Sequence, residues 1–479
     1  MKRPLIFILI LFSGFFASPS LSADAPTPSV VENNPRTMTF PPPQFRPAKA
    51  ERRVLSNGMI LYLKEDHELP LIHLDAMVRT GSVYEPAEKI GLAPLTGAVM
   101  RTGGTSRLTG DEIDERLDQM AAELSVGIGP DAGGASLDLL KKDFDAGLAL
   151  FVDVLMNPAF EEEKLQIAKN NALEMIRRRN DRPSSIAGRE FNKLIYGADN
   201  PYGREATEAT VGSIVRGDLV AFHQKYFAPN NFFLGVTGDF NKKEMIAKIE
   251  RAFAGWKTKK IDFPKVAPVV ERKEGGIYDI SRPISQTQIR IGHLGIKKDN
   301  PDFFALSVMD DILGGSGFTS RLFRDIRTRR GIAYSVGSAV IPGNFERGLF
   351  LLFGETRAEM TSEAIGAMID HVRKIRQEPV SDEELNLAKD SFLNSFIFSF
   401  SSPAQIVGRQ MSLEYYGLPD DFLERFRDNV AKVTQRDILR VAQKYLNPDL
   451  LVVLIVGDES RFDRPLSALG KVTPIKLTP

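Results

Sequence analysis

One segment of the chain occurs twice, and this duplication restricts the possible folds more than any other feature of the sequence. Residues 217–239, GDLVAFHQKYFAPNNFFLGVTGD, match residues 436–458, RDILRVAQKYLNPDLLVVLIVGD, without a gap. Each copy predicts a helix that ends at an aromatic residue, a turn marked by proline, an apolar strand and a Gly-Asp stop. The identical pairs are Asp218/Asp437, Gln224/Gln443, Lys225/Lys444, Tyr226/Tyr445, Pro229/Pro448, Gly238/Gly457 and Asp239/Asp458. Such a repeat predicts two copies of one α/β unit.

The repeat divides the chain into two homologous halves. At 479 residues the chain is too long for one ordinary hydrophobic core, so several domain-sized units are expected. We place the first unit at 50–262, a linker at 263–285 and the second unit at 286–479. The mixture of short strands and amphipathic helices predicts an α+β fold, in which each half is a largely antiparallel sheet covered by helices.

Local patterns in the first half support this fold. Residues 72–78 alternate between apolar and polar side chains, which indicates a half-buried strand. Thr109 and Glu112 have the spacing of a capping box at the start of a helix. Another helix is predicted to begin at about Ala93, because Pro94 is tolerated only in the first turn of a helix.

The N-terminus has the composition of an export signal. Lys2 and Arg3 precede the apolar run PLIFILILFSGFFA and the small-residue stretch SPSLSA, which predicts a signal peptide at 1–23. A membrane anchor is the alternative, but the run is shorter than the roughly 20 residues that a span needs. Residues 24–49 are polar and proline-rich and predict an extended arm. The absence of cysteine excludes disulfides, thiolate zinc sites and cysteine nucleophiles, and we predict a periplasmic protein.

The charge balance argues against two classes of partner. Lys+Arg and Asp+Glu both number 62, so the formal net charge is zero. Nucleic acids and anionic membranes select proteins with a basic excess. We therefore expect neither as a partner. The basic run at 177–182 is interpreted as the solvated end of a helix rather than as a phosphate-binding patch.

The order of short motifs resembles that of a known family, the inverzincin zinc peptidases. These form the pitrilysin and insulinase group, and the chain is most similar to the branch of mitochondrial processing peptidase and its bacterial relatives. The resemblance covers roughly residues 50–460. It rests on NG at 57–58, GS..E at 81–85, GLA at 91–93, NP.F at 157–160, PYGR at 201–204 and Trp256.

The family's zinc motif is missing from the first half. In the family GLA precedes H-x-x-E-H, whose histidines hold zinc and whose glutamate takes a proton from the bound water. Here Pro94, Gly97 and Ala98 occupy those three positions, and none can bind a metal or accept a proton. The family's third ligand falls on Glu174, a vestigial ligand position that we interpret as a solvated helix residue, and a supporting glutamate falls on Ile167. No two of the five histidines have ligand spacing, so we expect no metal or other cofactor on this chain.

The second half contains a more specific motif. The segment 310–338, DDILGGSGFTSRLFRDIRTRRGIAYSVGS, resembles the C-terminal signature of the family, in which an arginine and a tyrosine are seven residues apart. Here these are Arg327 and Tyr334. The resemblance implies that the pair contacts the carbonyl or backbone of a peptide substrate. A phenol donor and a fixed cation suit such a role, because both stabilise developing negative charge.

The glycine-rich turn of this motif has more than one interpretation. Gly314, Gly315 and Gly317 are candidates for a loop that lies against the substrate. A phosphate loop is less consistent with the sequence, because no Gly-Lys-Ser/Thr follows. A turn that approaches a neighbouring helix is also possible. The phenylalanines of 395–417 could line a peptide pocket, but we interpret them as core.

The resemblance implies a function as a non-catalytic subunit of a heterodimeric periplasmic zinc metallopeptidase. A homologous partner with an intact H-x-x-E-H would bind the zinc ion and supply the general base. This chain would form half of the substrate chamber and contribute Arg327 and Tyr334 in trans, and the substrates would be short or unfolded peptides. No activity is expected from the chain alone, and a homodimer is possible when the partner is absent.

Two other functions are consistent with the sequence. The chain could be a catalytically inert peptide-binding or scaffold protein of the same fold, in which case replacing Arg327 or Tyr334 would change nothing. It could also be an enzyme that acts alone by other means, which would require stoichiometric metal or activity without a partner.

Overall fold

The computed structural model describes residues 48–477. The signal peptide predicted at 1–23 lies outside the described residues, as does the arm predicted at 24–49 apart from its last two residues. Within residues 48–477, no helix is both long and apolar enough to cross a membrane.

The first half contains one mixed six-stranded sheet in the order β1-β2-β6-β3-β5-β4. Only β2 and β6 pair in parallel, and the other neighbours are antiparallel. The strands are β1 Glu51–Val54, β2 Ile60–Glu65, β3 Leu71–Val78, β4 Glu123–Ile128, β5 Gly133–Leu140 and β6 Phe232–Gly238. The helices are α1 Leu92–Thr102, α2 Gly110–Gln119, α3 Phe144–Met156, α4 Glu162–Arg177, α5 Pro183–Tyr196, α6 Glu208–Ser213, α7 Arg216–Tyr226 and α8 Lys242–Ala252.

The second half contains a sheet of the same size, in the order β12-β7-β11-β8-β10-β9. Its strands are β7 Gly276–Ser281, β8 Gln286–Leu294, β9 Ala333–Ile341, β10 Leu349–Arg357, β11 Val452–Gly457 and β12 Val472–Pro474. Its helices are α9 Phe303–Asp310, α10 Thr361–Gln377, α11 Asp382–Phe398, α12 Pro403–Tyr415, α13 Phe422–Lys432 and α14 Gln435–Tyr445. Two π-helical turns, Asp311–Gly315 and Phe323–Arg329, lie between α9 and β9.

The duplicated segments occupy equivalent places in the two sheets. One copy forms α7 and β6, and the other forms α14 and β11. Both strands are inner strands that pair in parallel on one side and antiparallel on the other. Burial on both faces explains their uninterrupted apolar sequences. The predicted α+β fold with two homologous halves is confirmed.

The boundary between the halves differs from the sequence interpretation. Residues 276–281, which we assigned to the linker at 263–285, form β7 and pair in parallel with β11. The second sheet therefore begins before residue 286. The sequence GIYDIS follows two glycines and contains a buried aspartate, Asp279, and this polar residue hides the strand pattern.

Each sheet is covered on one face by helices of its own half and on the other by a helix of the opposite half. α12 packs on β6 and β2, where Val407 and Met411 contact Phe233 and Tyr62. In return, α5 packs on the second sheet through Ile186, Phe191 and Ile195. A Cβ atom on Gly235 of β6 would lie 2.5 Å from Val407 and 2.8 Å from Met411, so this glycine lets α12 approach.

Candidate functional site

The first turn of α1 is fixed by a buried carboxylate. The Glu85 side chain accepts hydrogen bonds from the backbone N–H groups of Gly91, at 3.2 Å, and Ala93, at 2.5 Å. Burial raises the pKa of Glu85, and the two N–H donors oppose this shift. Arg204 donates to the backbone oxygens of Ser82 and Glu85 and so holds the preceding turn. These contacts explain GS..E and PYGR, motifs to which the sequence alone assigned no role.

The positions of the absent zinc motif divide between two environments. α1 begins at Leu92, one residue before the predicted start, and Pro94 lies in its first turn. Pro94 and Ala98 are exposed on one face of α1, one turn apart. Gly97 is buried against β4, where a Cβ atom would be 2.8 Å from the backbone nitrogen of Ile128. No side chain fits at position 97 unless α1 moves away from the sheet.

Pro94 and Ala98 border a cavity of about 800 Å³ between α1 and α4. Ile167, at the position of the family's supporting glutamate, lines the same cavity. The walls are predominantly apolar, and Ile167 and Met175 are 48% and 68% exposed. The main apolar side chains are Pro94, Leu95, Ala98, Ile167, Ala172 and Met175. The structure therefore brings three of the motif positions together around an apolar surface.

Glu174 does not reach this cavity. Its side chain is exposed and forms an ion pair of 3.1 Å with Arg178, one turn further along α4. Zinc sites need several nitrogen, sulfur or carboxylate ligands, and the α1 face offers only proline and alanine. Among residues 48–477, no group of three or more His, Cys, Asp or Glu side chains is arranged to hold a metal ion. The side chains at the motif positions do not fit a metal.

The structure brings Arg327 and Tyr334 together. The guanidinium carbon of Arg327 lies 5.2 Å from the ring centre of Tyr334, 4.6 Å from that of Phe323 and 5.7 Å from that of Phe318. Tyr334 and Phe318 are 71% and 75% exposed. We name Phe318, Phe323, Arg327 and Tyr334 the Arg-aromatic patch. The two phenylalanines were not singled out from the sequence, although both lie in the GGSGFTSRLF part of the motif.

A neighbouring carboxylate, that of Asp325, binds two other arginines of this segment and a histidine of α10. Asp325 accepts hydrogen bonds from His371, at 2.9 Å, and from Arg329 and Arg330. Burial opposes its ionisation, but these three donors outweigh burial and lower the pKa of Asp325 to about 2. Within the described part of the chain Arg327 forms no ion pair. Its charge therefore remains available at the exposed surface of the patch.

Contacts within the fold explain two glycines of the predicted substrate loop. A Cβ atom on Gly314 would lie 2.3 Å from the backbone nitrogen of Ser338 in β9, and one on Gly315 would lie 3.1 Å from Asp310. Gly317 has a φ of +60° and open space around it, so it serves the turn conformation. Asp310 fixes the same turn to β9 by accepting from the Ser338 hydroxyl and the Val340 N–H group.

Comparison with known proteins identifies the family. Residues 63–203 match the family described as insulinase (peptidase family M16), and residues 213–392 match the domain described as the peptidase M16 inactive domain. An uncharacterized zinc protease of Rickettsia bellii is 25% identical over 338 residues, which cover 70% of this chain and 80% of that protein.

Solved structures share most of the described fold. A peptidase M16 inactive domain from Pseudomonas fluorescens superposes with a TM-score of 0.78 at 28% identity, covering 86% of this chain and 98% of that one. A protease from Helicobacter pylori has a TM-score of 0.75 at 18% identity, covering 86% of this chain and all of the other. Together with the matched motifs, these similarities show that the chain belongs to the insulinase family, peptidase family M16.

Proposed function

We propose that this chain is the non-catalytic subunit of a two-chain periplasmic zinc peptidase. A homologous partner with an intact H-x-x-E-H motif supplies the zinc ion and the general base. This chain supplies half of the substrate chamber and the Arg-aromatic patch, which binds short or unfolded peptides at the partner's site.

The observation that carries this proposal is the difference between the two candidate sites. In the first half Pro94, Gly97 and Ala98 leave neither a ligand nor room for the catalytic glutamate. In the second half Arg327 and Tyr334 lie side by side, with Tyr334 exposed and Arg327 half-buried. When two similar chains divide one catalytic task, one chain is expected to lose the metal site and to keep the substrate-binding site.

The chemistry of the Arg-aromatic patch suits a role in trans. The rings orient the guanidinium of Arg327 without neutralising it, because they attract a cation through their negative faces. The Tyr334 hydroxyl has no hydrogen-bond partner within residues 48–477 and is free to donate. A donor and a cation close together can hold a peptide carbonyl and stabilise negative charge that develops on its oxygen.

The periplasmic location rests on the sequence. A charged start, an apolar run and a small-residue stretch are typical of an exported protein, and the chain contains no cysteine to become oxidised after export.

Purification from the native periplasm tests the proposal. A tagged copy of this chain is isolated without crosslinking, and proteins recovered in equal amount are identified by mass spectrometry. We expect one homologous companion that carries H-x-x-E-H and binds zinc. Recovery of the chain alone, or with unrelated proteins, would remove the basis for a subunit role and favour the scaffold function.

A further inference from the structure

A second cavity, of about 380 Å³, lies in the second half between α9, α11, α12 and α13. Much of its wall is aromatic. Phe396 and Phe426 stack at 4.8 Å between ring centres, and Phe303 and Phe422 are 5.8 Å apart. The phenylalanines that line the cavity are Phe303, Phe392, Phe396, Phe422 and Phe426. Phe396, interpreted as core from the sequence, therefore borders an open space as well.

Two cations face the same cavity. Neither Lys298 nor Arg409 forms an ion pair within residues 48–477, and no carboxylate lines the cavity. Arg409 donates from Nε to the backbone oxygen of Ser399 at 2.9 Å and lies over the ring of Phe400. The Nζ atom of Lys298 lies 5.7 Å from the ring centre of Tyr416. Within the part of the chain that the structure describes, these two charges have only ring contacts and one carbonyl as partners.

The environment of the two cations is unfavourable to their charge. Burial, and then repulsion from Arg409, lowers the pKa of Lys298, and burial lowers that of Arg409. Lys298 is half-buried, whereas Arg409 is exposed at the edge of the cavity. A cation partly withdrawn from water normally has a counter-ion, because its desolvation is costly. Here the counter-ion is missing from the described part of the chain. The charge that would complement the cavity is therefore negative.

We propose that this cavity binds a small apolar carboxylate, such as an aryl-alkyl acid or a medium-chain alkyl acid. The apolar body packs against the phenylalanines, and the carboxylate lies between Lys298 and Arg409. The Ser412 hydroxyl also lines the cavity and can donate to the same group. The volume lies within the roughly 300–1,000 Å³ of pockets that hold small molecules. The aromatic wall disfavours a bare inorganic anion, and the two cations disfavour a neutral apolar ligand.

Calorimetric titration of the mature full-length chain tests this inference. The probes are 3-phenylpropionate and its uncharged analogue 3-phenylpropan-1-ol, which share one apolar body. We expect the acid to bind at least about tenfold more tightly than the alcohol, because hydrogen bonds to a charged group are stronger than those to a neutral one. Equal affinities, or no detectable binding of the acid, would overturn the proposal. This comparison needs no variant, so it decides the question even where a substituted chain does not fold.

Variants locate the binding site. Lys298→Met and Arg409→Met should each weaken binding of the acid about tenfold and leave binding of the alcohol unchanged. Lys297→Met is the matched control, since Lys297 pairs with Glu346 and does not line the cavity. If both cavity variants bound the acid as tightly as the unsubstituted chain, the acid would bind elsewhere and the proposed site would be wrong. A peptide with a C-terminal phenylalanine tests whether the carboxylate comes from a peptide rather than from a small acid. Binding of this peptide without binding of 3-phenylpropionate would also refute the proposal.

Discussion

Arg327 lies among aromatic rings, whereas the adjacent Arg329 and Arg330 bind Asp325. This difference decides which arginine can act on a substrate. An arginine paired with an acid has little charge to offer, while one that stacks on rings keeps both its charge and its N–H donors. At the residue scale, the Arg-aromatic patch is therefore the strongest candidate for function in the described chain.

Asp311 gives the fold a pH-dependent stability. Burial, and then repulsion from Asp310, raises the pKa of Asp311 from 3.8 to about 7. The folded chain therefore binds more protons than the unfolded chain between about pH 4 and 7, so this carboxyl lowers stability as the pH rises through that range. We expect Asp311→Asn to raise the free energy of unfolding at pH 8, on the order of 1 kcal/mol after allowance for solvent screening, and to leave it almost unchanged at pH 4.

Urea unfolding at the two pH values measures this effect. Asp299→Asn is the control, because Asp299 is exposed, and its effect should stay within about 0.5 kcal/mol. An equal effect of Asp311→Asn at both pH values would show that Asp311 does not titrate in this range.

Two helical glycines form a matched pair. Gly97→Ala would place a Cβ atom 2.8 Å from the backbone of Ile128, whereas a Cβ atom on Gly366 in α10 would meet nothing within 4 Å. We expect Gly97→Ala to destabilise the chain by about 1–3 kcal/mol, because α1 must move away from β4. Gly366→Ala should stabilise it by about 0.5–1 kcal/mol through the higher helix propensity of alanine. Thermal unfolding that showed the same sign for both would contradict the close contact at Gly97.

At the scale of the element, α1 keeps a fixed position although it carries no ligands. Its N-terminus is held by the Glu85 carboxylate, which satisfies two backbone N–H groups. We expect Glu85→Ala to lower the free energy of unfolding by about 1–2 kcal/mol and to speed amide exchange at Gly91 and Ala93. The control is Glu88→Ala, because Glu88 is exposed. Unchanged exchange at both amides would show that Glu85 does not cap α1.

Local elements were predictable because their signals are local. The capping box of Thr109 and Glu112 is present at the start of α2, with hydrogen bonds in both directions. The alternation of 72–78 corresponds to β3, whose alternate residues are buried. The start of α1 was predicted to within one residue, since Pro94 restricts it. Each of these features depends on neighbours within a few positions of the sequence.

Features that depend on distant contacts were not predictable. β7 exists because 276–281 pairs with β11, far along the chain. An apolar helix face shows that a helix is covered, but not by which sheet, so the packing of α5 and α12 on opposite halves gave no signal. Glu174 has the spacing of the family's ligand, yet its side chain is turned away from the cavity that Ile167 lines. Spacing alone does not settle which side of a helix faces a site.

At the scale of the whole molecule, the reciprocal packing of α5 and α12 joins the two halves into one cooperative structure. Gly235 and Val407 are in contact across this interface. We expect Gly235→Ala and Val407→Ala each to destabilise the chain by about 1–3 kcal/mol. The two effects should not add. We expect the double variant to be about 1 kcal/mol more stable than the sum of the single effects predicts, because removing the methyl groups of Val407 makes room for the methyl group of alanine at position 235. Strictly additive effects in urea unfolding would contradict this contact.

The central claim is that this chain contributes Arg327 and Tyr334 to catalysis by a partner. The most direct measurement is the steady-state kinetics of the purified pair on a peptide substrate, with Arg327→Met or Tyr334→Phe in this chain only. We predict that kcat/KM falls by about 10- to 100-fold in each variant, while Arg373→Met, on the exposed face of α10, has no effect. Unchanged kcat/KM in both variants, with the pair still assembled, would contradict the claim and leave this chain a structural subunit.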